Sequence, residues 1–237
     1  MLRNAHPLGL SSRSINLVRA IVISIALFLL FSGCIFVAAG QFSWPIAWAV
    51  LGIYFVSKLI GLAFADPELI VERAAPGPEA DPGDKLIATL GYLGLYPGTL
   101  IVAGLDAIRF GPAVLIPPFV QIVALLIFAF GYGFATWAVL SNPFFTTFIR
   151  IQKDRDHSVI SSGAYAQVRH PGYAGALISH LALPFALGSV WALIPASVGI
   201  IFFIIRTARE DQTLHDHLIG YREYQNQVRW RLFPGVW

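Results

Sequence analysis

Charge and cysteine are what this chain has least of. Of its 237 residues, 12% are Asp, Glu, Lys or Arg, and there is one cysteine, Cys34. A single cysteine excludes an internal disulfide and a cysteine-based metal site. Lying inside an apolar run, it reads as a packing or lipid-facing residue. So little charge, beside 57% hydrophobic residues and a mean hydropathy of +0.69, excludes an ordinary soluble domain. The net charge of +3 is small and dispersed. It makes no basic patch for nucleic acid, and contact with anionic lipid is its better use. No internal repeat, low-complexity tract or second soluble domain is visible, so residues 1–237 read as one membrane domain.

What the chain has is long apolar runs, and a bilayer core of roughly 30 Å needs about 20 helical residues to cross. Spans are predicted near Val18–Ala39, Trp44–Phe64, Leu86–Leu105 and Pro112–Leu140. The first exceeds a signal-peptide core and no small-residue cleavage site follows, so it reads as a retained helix. The block Ala174–Ile205 is too long for one untilted span and carries Pro184, Gly188, Ser189 and Pro195 near its middle. It reads as a helical hairpin, 174–187 and 189–205. The expectation is an all-α integral membrane protein of about six transmembrane helices, the last two a hairpin, followed by a cytoplasmic C-terminal helix.

Charge topology agrees with an even number of spans. If the N-terminus is inside, fourteen of the sixteen Lys and Arg fall on cytoplasmic segments, Lys58 lies near an inner helix end, and Arg109 alone is outside. Both termini are then cytoplasmic. The loop Asp66–Lys85, acidic and rich in proline, reads as a solvated linker.

Polarity returns densely in His157–Gly175, where His, Tyr, Arg and Gly gather between two apolar blocks. Ionisable side chains are costly in hydrocarbon, so such an island belongs at the water boundary. A tight turn, with Pro171 and Gly172 opening a helix and Tyr173 anchoring it, accounts for part of the island. Beyond Ile205 a helix leaves the membrane, with Arg206 and Glu210 on one face and Leu214, Leu218, Tyr221 and Tyr224 at helical spacing. A hairpin returns its ends to the same side, so His170–Tyr173 and Arg206–Glu210 are expected to meet in an interfacial pocket. Aromatic faces, imidazole, a cation and carboxylates there suit a ligand with a cationic centre, a heteroaromatic ring and an amino-acid end, such as S-adenosylmethionine.

Other residues read as structural. His215 and His217 are two apart and make a poor metal pair on a helix. His180 reads as a hydrogen-bonding residue across helices, and Gly131-Tyr-Gly133 as close helix packing. No metal is expected.

The ordered set Gln152-x4-His157, Ser162-Gly163-Ala-Tyr165, Arg169-His170-Pro171-Gly172-Tyr173-Ala-Gly175, Arg206-x3-Glu210-Asp211, Gly220-Tyr221-x2-Tyr224 and Arg231-x2-Pro234 resembles the isoprenylcysteine carboxyl methyltransferase family. That family is similar to the phospholipid N-methyltransferases. The resemblance is close over Asn142–Trp237, the catalytic region, and loose over Asp66–Asp84. It implies that Gln152, His157, Ser158, Val159, Ile160, Tyr165, His170, Pro171, Gly172 and Tyr173 line an S-adenosylmethionine site. It further implies that Glu210 binds the cofactor and that Arg206 faces the acceptor, these two being the catalytic pair. The chain departs from the family at Asp211, commonly a second Glu, and at Ala164, commonly Pro.

In-line methyl transfer depends chiefly on positioning, which supplies up to about 7–11 kcal/mol. A carboxylate acceptor would be oriented by Arg206; an amine or thiol would need a base, for which Glu210, Asp211 and the pocket histidines are candidates. The expected acceptor is lipidic or prenylated. Two other readings are an NADPH-dependent sterol- or enone-type membrane reductase and a small non-enzymatic transporter. The reductases tend to carry Asn and Asp where this chain has Gly172 and Ala176, and a transporter would hold its charges at mid-membrane.

Overall fold

The structure, a computed structural model, describes residues 12–65, 69–70 and 82–237. Among the described residues it is all helical. The long helices are α1 (Ser12–Ala39), α2 (Pro45–Phe64), α3 (82–109), α4 (Pro118–Ser141), α5 (Pro171–Ala186) and α6 (Leu193–His217), with a short α7 (Tyr221–Gln227). Four of them, α1 to α4, are long and apolar enough to cross a membrane. Their outward faces carry Leu29, Val37, Phe55, Phe119, Leu126 and Phe130, all large, apolar and exposed, which is what lipid contact requires.

The first two spans end where expected; the second begins one residue later, and the first begins six residues earlier, at Ser12. The third is longer at both ends: it already runs as α-helix from 82, and it continues through a π-helical turn, Leu105–Arg109, with a further π-helical turn, Gly94–Gly98, inside it. The turn Gly94–Gly98 accommodates Pro97, which has no N–H to continue an α-helical ladder. The fourth starts at Pro118 and not at Pro112, since Pro117 and Pro118 hold residues 112–117 out of the helix. Arg109 closes the far end of α1 by donating from Nε to the Ala38 carbonyl at 2.8 Å.

The last apolar block is a hairpin of α5 and α6, with 187–192 as its turn. Helix α6 therefore starts at Leu193, four residues later than expected. The turn is fastened by Ser189, whose hydroxyl donates to Asp106 at 2.6 Å and accepts from the Ala192 N–H. With 16 residues, α5 is about 24 Å long, short for an untilted crossing. It is also the most enclosed helix, with twelve residues buried. It lies backbone to backbone on α4: a Cβ on Gly131 would stand 2.6 Å from the Ser179 nitrogen, and one on Gly175 would stand 2.5 Å from the Gly131 carbonyl oxygen. Gly133, by contrast, faces open space. The packing reading of that Gly-x-Gly therefore holds for its first glycine alone.

The continuous helix expected through Tyr224 is broken. Helix α6 runs past Arg206 without interruption to His217, Leu218 is extended, and Gly220 takes φ +84° before α7 begins. Leu214, Leu218, Tyr221 and Tyr224 still converge, packing with Ile151, Val159 and Val228. The expected linker Asp66–Lys85 also changes at its end, because Asp84 and Lys85 are already in α3 and Asp84 is 1% exposed. Residues 66–68 and 71–81 of that loop lie outside the described residues.

Candidate active site

A narrow cleft opens where the hairpin ends meet the segment 142–170 and α7. It is lined by Asn142, Phe144, Phe145, Thr146, Ile149 and Arg150; by His157, Ser158, Val159, Ile160 and Tyr165; by Arg169, His170, Gly172 and Tyr173; and by Glu210, Leu214, Leu218, Tyr221 and Tyr224. The predicted meeting of the two hairpin ends is seen directly. The Tyr173 hydroxyl donates to Glu210 Oε2 at 2.6 Å, and His170 Nε2 lies 3.0 Å from Asp211 Oδ1. The free interior is about 60 Å³, room for about four waters.

The 142–160 wall is organised by Gln152. Fully buried, it donates from Nε2 to the Phe144 carbonyl at 2.6 Å and accepts from Arg155 at 2.8 Å. Its backbone N–H points at His157 Nδ1, 3.4 Å away, and Asp156 turns the chain with φ 51°. His157 stacks on Phe144 with ring centroids 4.6 Å apart. Burial, then the charges of Arg150 and Arg155, lower its pKa from 6.5 to about 4, so it enters the cleft wall as neutral imidazole at pH 7. Across the cleft the Phe145 ring rests on Gly172, where a Cβ would stand 2.7 Å from Cε2.

Asp211 is the hub behind the cleft. At 1% exposure it accepts from Arg169 Nε and Nη2 at 2.8 and 3.0 Å, the Tyr221 hydroxyl at 2.9 Å and Arg231 Nε at 2.8 Å, besides its contact with His170. Burial alone would raise its pKa; the bonds from His170, Arg169 and Arg231 outweigh it and hold the carboxyl well below the usual range. Arg169 also donates to the Val228 and Arg229 carbonyls. The short side chain at 211 thus meets its partners at close range without entering the cleft.

Arg206 does not line the cleft either. It is 1% exposed, its Nε and Nη2 pair with Asp84 Oδ1 and Oδ2 at 2.8 and 3.2 Å, and Nη2 donates to the Thr147 carbonyl. Its guanidinium sits 5.7 Å from the Tyr173 ring centre, behind the Tyr173–Glu210 pair. Gln152 and Pro171 are likewise buried behind the surface they support. The remaining sequence candidates, His157, Ser158, Val159, Ile160, Tyr165, His170, Gly172, Tyr173 and Glu210, all face the cleft.

Sequence reasoning missed Asp84 and the wall 142–150. Asp84 is one acidic residue among six in 66–84, and nothing local separates it from the solvated ones. Phe144 and Phe145 are equally silent beside eighteen phenylalanines. His180 bonds within its own helix, to the Ala176 carbonyl at 2.8 Å, and not across helices as expected. His215 and His217 bond to Gln225 and to the Thr213 carbonyl, and no group of three potential ligands stands ready for a metal among the described residues.

Residues 122–216 match the sequence profile of the isoprenylcysteine carboxyl methyltransferase family. No curated protein matches the chain in sequence. In fold the chain is similar to the eukaryotic intramembrane Ras methyltransferase ICMT, solved without a monobody, with a TM-score of 0.50 and 15% identity. The likeness covers 98% of this chain and 89% of that one.

Proposed function

We propose that this chain, whose residues 122–216 match the isoprenylcysteine carboxyl methyltransferase profile, is a membrane methyltransferase, and that its cleft works as follows. S-adenosylmethionine is the donor, entering the cleft from water. The acceptor is lipidic or membrane-partitioned and approaches laterally between helices. The cleft, both termini and α7 lie on the cytoplasmic face, and the α5–α6 hairpin completes six crossings. The observation that carries this reading is the convergence on one cleft of His157–Ile160, Tyr165, His170, Gly172, Tyr173 and Glu210 from three separate stretches of chain.

The chemistry of the wall fits the donor. Tyr165, Tyr173, Tyr221 and Phe144 offer ring faces for a purine or a sulfonium. His157 and Ser158 offer neutral polar groups, and Glu210 offers a carboxylate to a cation. When bound, the donor supplies an electrophilic methyl on a sulfonium. Tyr173 holds Glu210 through its 2.6 Å hydrogen bond and so fixes where that charge sits. Gln152, Pro171 and Asp211 position the wall, and Arg206, its guanidinium 5.7 Å from the Tyr173 ring centre, marks the acceptor end. Closure of Phe144 and Phe145 over a ligand would exclude water from the transfer.

Binding measured by calorimetry on the purified protein in detergent tests this reading. S-adenosylmethionine is expected to bind and NADPH not to; NADPH alone would instead support a reductase, and binding of neither would reject both. Glu210→Gln is expected to weaken S-adenosylmethionine binding about ten- to hundredfold, the loss of one charge-assisted contact.

A further inference from the structure

Asp84 and Arg206 are 122 residues apart in sequence, and each is 1% exposed. The side-on edge of a guanidinium, Nε with Nη2, is the edge that receives a carboxylate through two parallel bonds. In Arg206 that edge is filled by the protein's own carboxylate. Asp84 is itself held there by the Ile149 N–H, which donates to Oδ2 at 2.8 Å, while Arg206 is further held by the Thr147 carbonyl. The pair is thus internally neutral and fastened to the wall 142–150. Glu210 is placed differently. It is half-buried and accepts from the Tyr173 hydroxyl, and among the described residues no lysine or arginine forms an ion pair with it.

We propose that Asp84 sets the acceptor class: by occupying Arg206 it closes the acceptor end to carboxylates, leaving Glu210 as the charge that selects a lipidic amine. The inference rests on the methyl-transfer reading above. An incoming carboxylate would find the bidentate edge of the guanidinium taken by Asp84 and would stand beside the Glu210 carboxylate, where like charges are costly. An incoming ammonium finds in Glu210 a charged hydrogen-bond acceptor. It passes its proton to the Glu210 carboxylate, and the freed nitrogen lone pair attacks the donor methyl. The N–C bond forms as the C–S bond breaks, with the electron pair staying on sulfur. The products are an N-methylammonium, a neutral thioether and protonated Glu210, so charge is conserved.

The test uses the full chain in lipid nanodiscs, tritiated-methyl donor, and two probes with one farnesyl thioether tail, ending in a primary amine or a carboxylate. The amine probe is expected to be methylated with kcat/KM about tenfold or more above the carboxylate probe, giving a base-stable product. Asp84→Asn keeps the shape and an acceptor for Ile149 but removes the charge. It is expected to tighten binding of the carboxylate probe about tenfold, read by calorimetry with S-adenosylhomocysteine present. Asp84→Glu keeps the charge and is expected to retain the amine preference, which separates charge from shape. Carboxylate methylation favoured by the wild type, or an unchanged preference in Asp84→Asn that still binds donor, overturns the inference and leaves the methyltransferase reading standing. Transfer to neither probe by donor-bound protein rejects the inference and the prenyl-type acceptor together, and failure to bind donor rejects the functional reading itself.

Discussion

At the scale of single residues, the site is governed by how each ionisable group is paid for in hydrogen bonds. His157 is the case with a measurable pH signature. Its folded pKa is about 4 and its ordinary value 6.5, so between these values the unfolded chain binds a proton that the folded one does not. Stability therefore falls as pH drops from 6.5 towards 4. Thermal unfolding in detergent across that window should show the midpoint falling in the wild type and falling less in His157→Gln. Equal slopes would mean that the imidazole is not held neutral by its surroundings. Asp211 acts lower, because its contribution is full above the ordinary carboxylate pKa of about 3.9 and is lost as pH falls towards its depressed folded value. The two groups therefore act in separable ranges. His157 was legible in the sequence as part of a polar island, whereas the place of Asp211 behind the cleft was not, since its partners Arg169, Tyr221 and Arg231 come from three other stretches of chain.

At the scale of elements, close contact between α4 and α5 positions the start of α5, and with it His170 and Tyr173. Gly131 and Gly175 permit that contact because neither has a side chain to hold the backbones apart. Gly175→Leu should lower stability by about 1–3 kcal/mol or more through overpacking, seen as a lower thermal midpoint. Gly133→Leu, two residues along α4 from Gly131 but facing open space, should leave the midpoint nearly unchanged. Equal losses would show that helix propensity and not packing decides. The hairpin was legible from Pro184, Gly188, Ser189 and Pro195, which interrupt an apolar block too long for one span. The place of its turn, at Gly188, was legible too, but its extent over 187–192 was not, since Ser189 is fixed by Asp106 from a helix 83 residues earlier.

At the scale of the whole molecule, residues 229–237 fasten the cleft wall from behind. The backbone N–H groups of Arg169 and His170 donate to the Trp230 and Arg231 carbonyls, both at 2.9 Å, and Arg231 reaches Asp211. The tail folds back on itself, with the Arg231 and Leu232 N–H groups donating to Trp237 and the Arg231 guanidinium 4.9 Å from its ring centre. Removing residues 229–237 should free two backbone donors beside the cleft and take one cation from a buried carboxylate. The expected result is S-adenosylmethionine binding weakened about tenfold or more, with a lower thermal midpoint. Retained affinity would make the tail a surface appendage.

The sequence by itself determined that the chain is a helical membrane protein, roughly where its four long apolar helices lie, and that polar chemistry gathers after residue 142. These follow from local quantities: the run of apolar side chains needed to cross hydrocarbon, and the cost of charge within it. It also determined, through an ordered set of His, Tyr, Arg and Glu, which residues to expect around the cleft. Only the tertiary structure decided which of them face it, and that Arg206 meets Asp84 before any ligand arrives. That pairing joins positions 84 and 206 through a contact between helices, and no local pattern of polarity or spacing encodes which carboxylate a buried guanidinium will find.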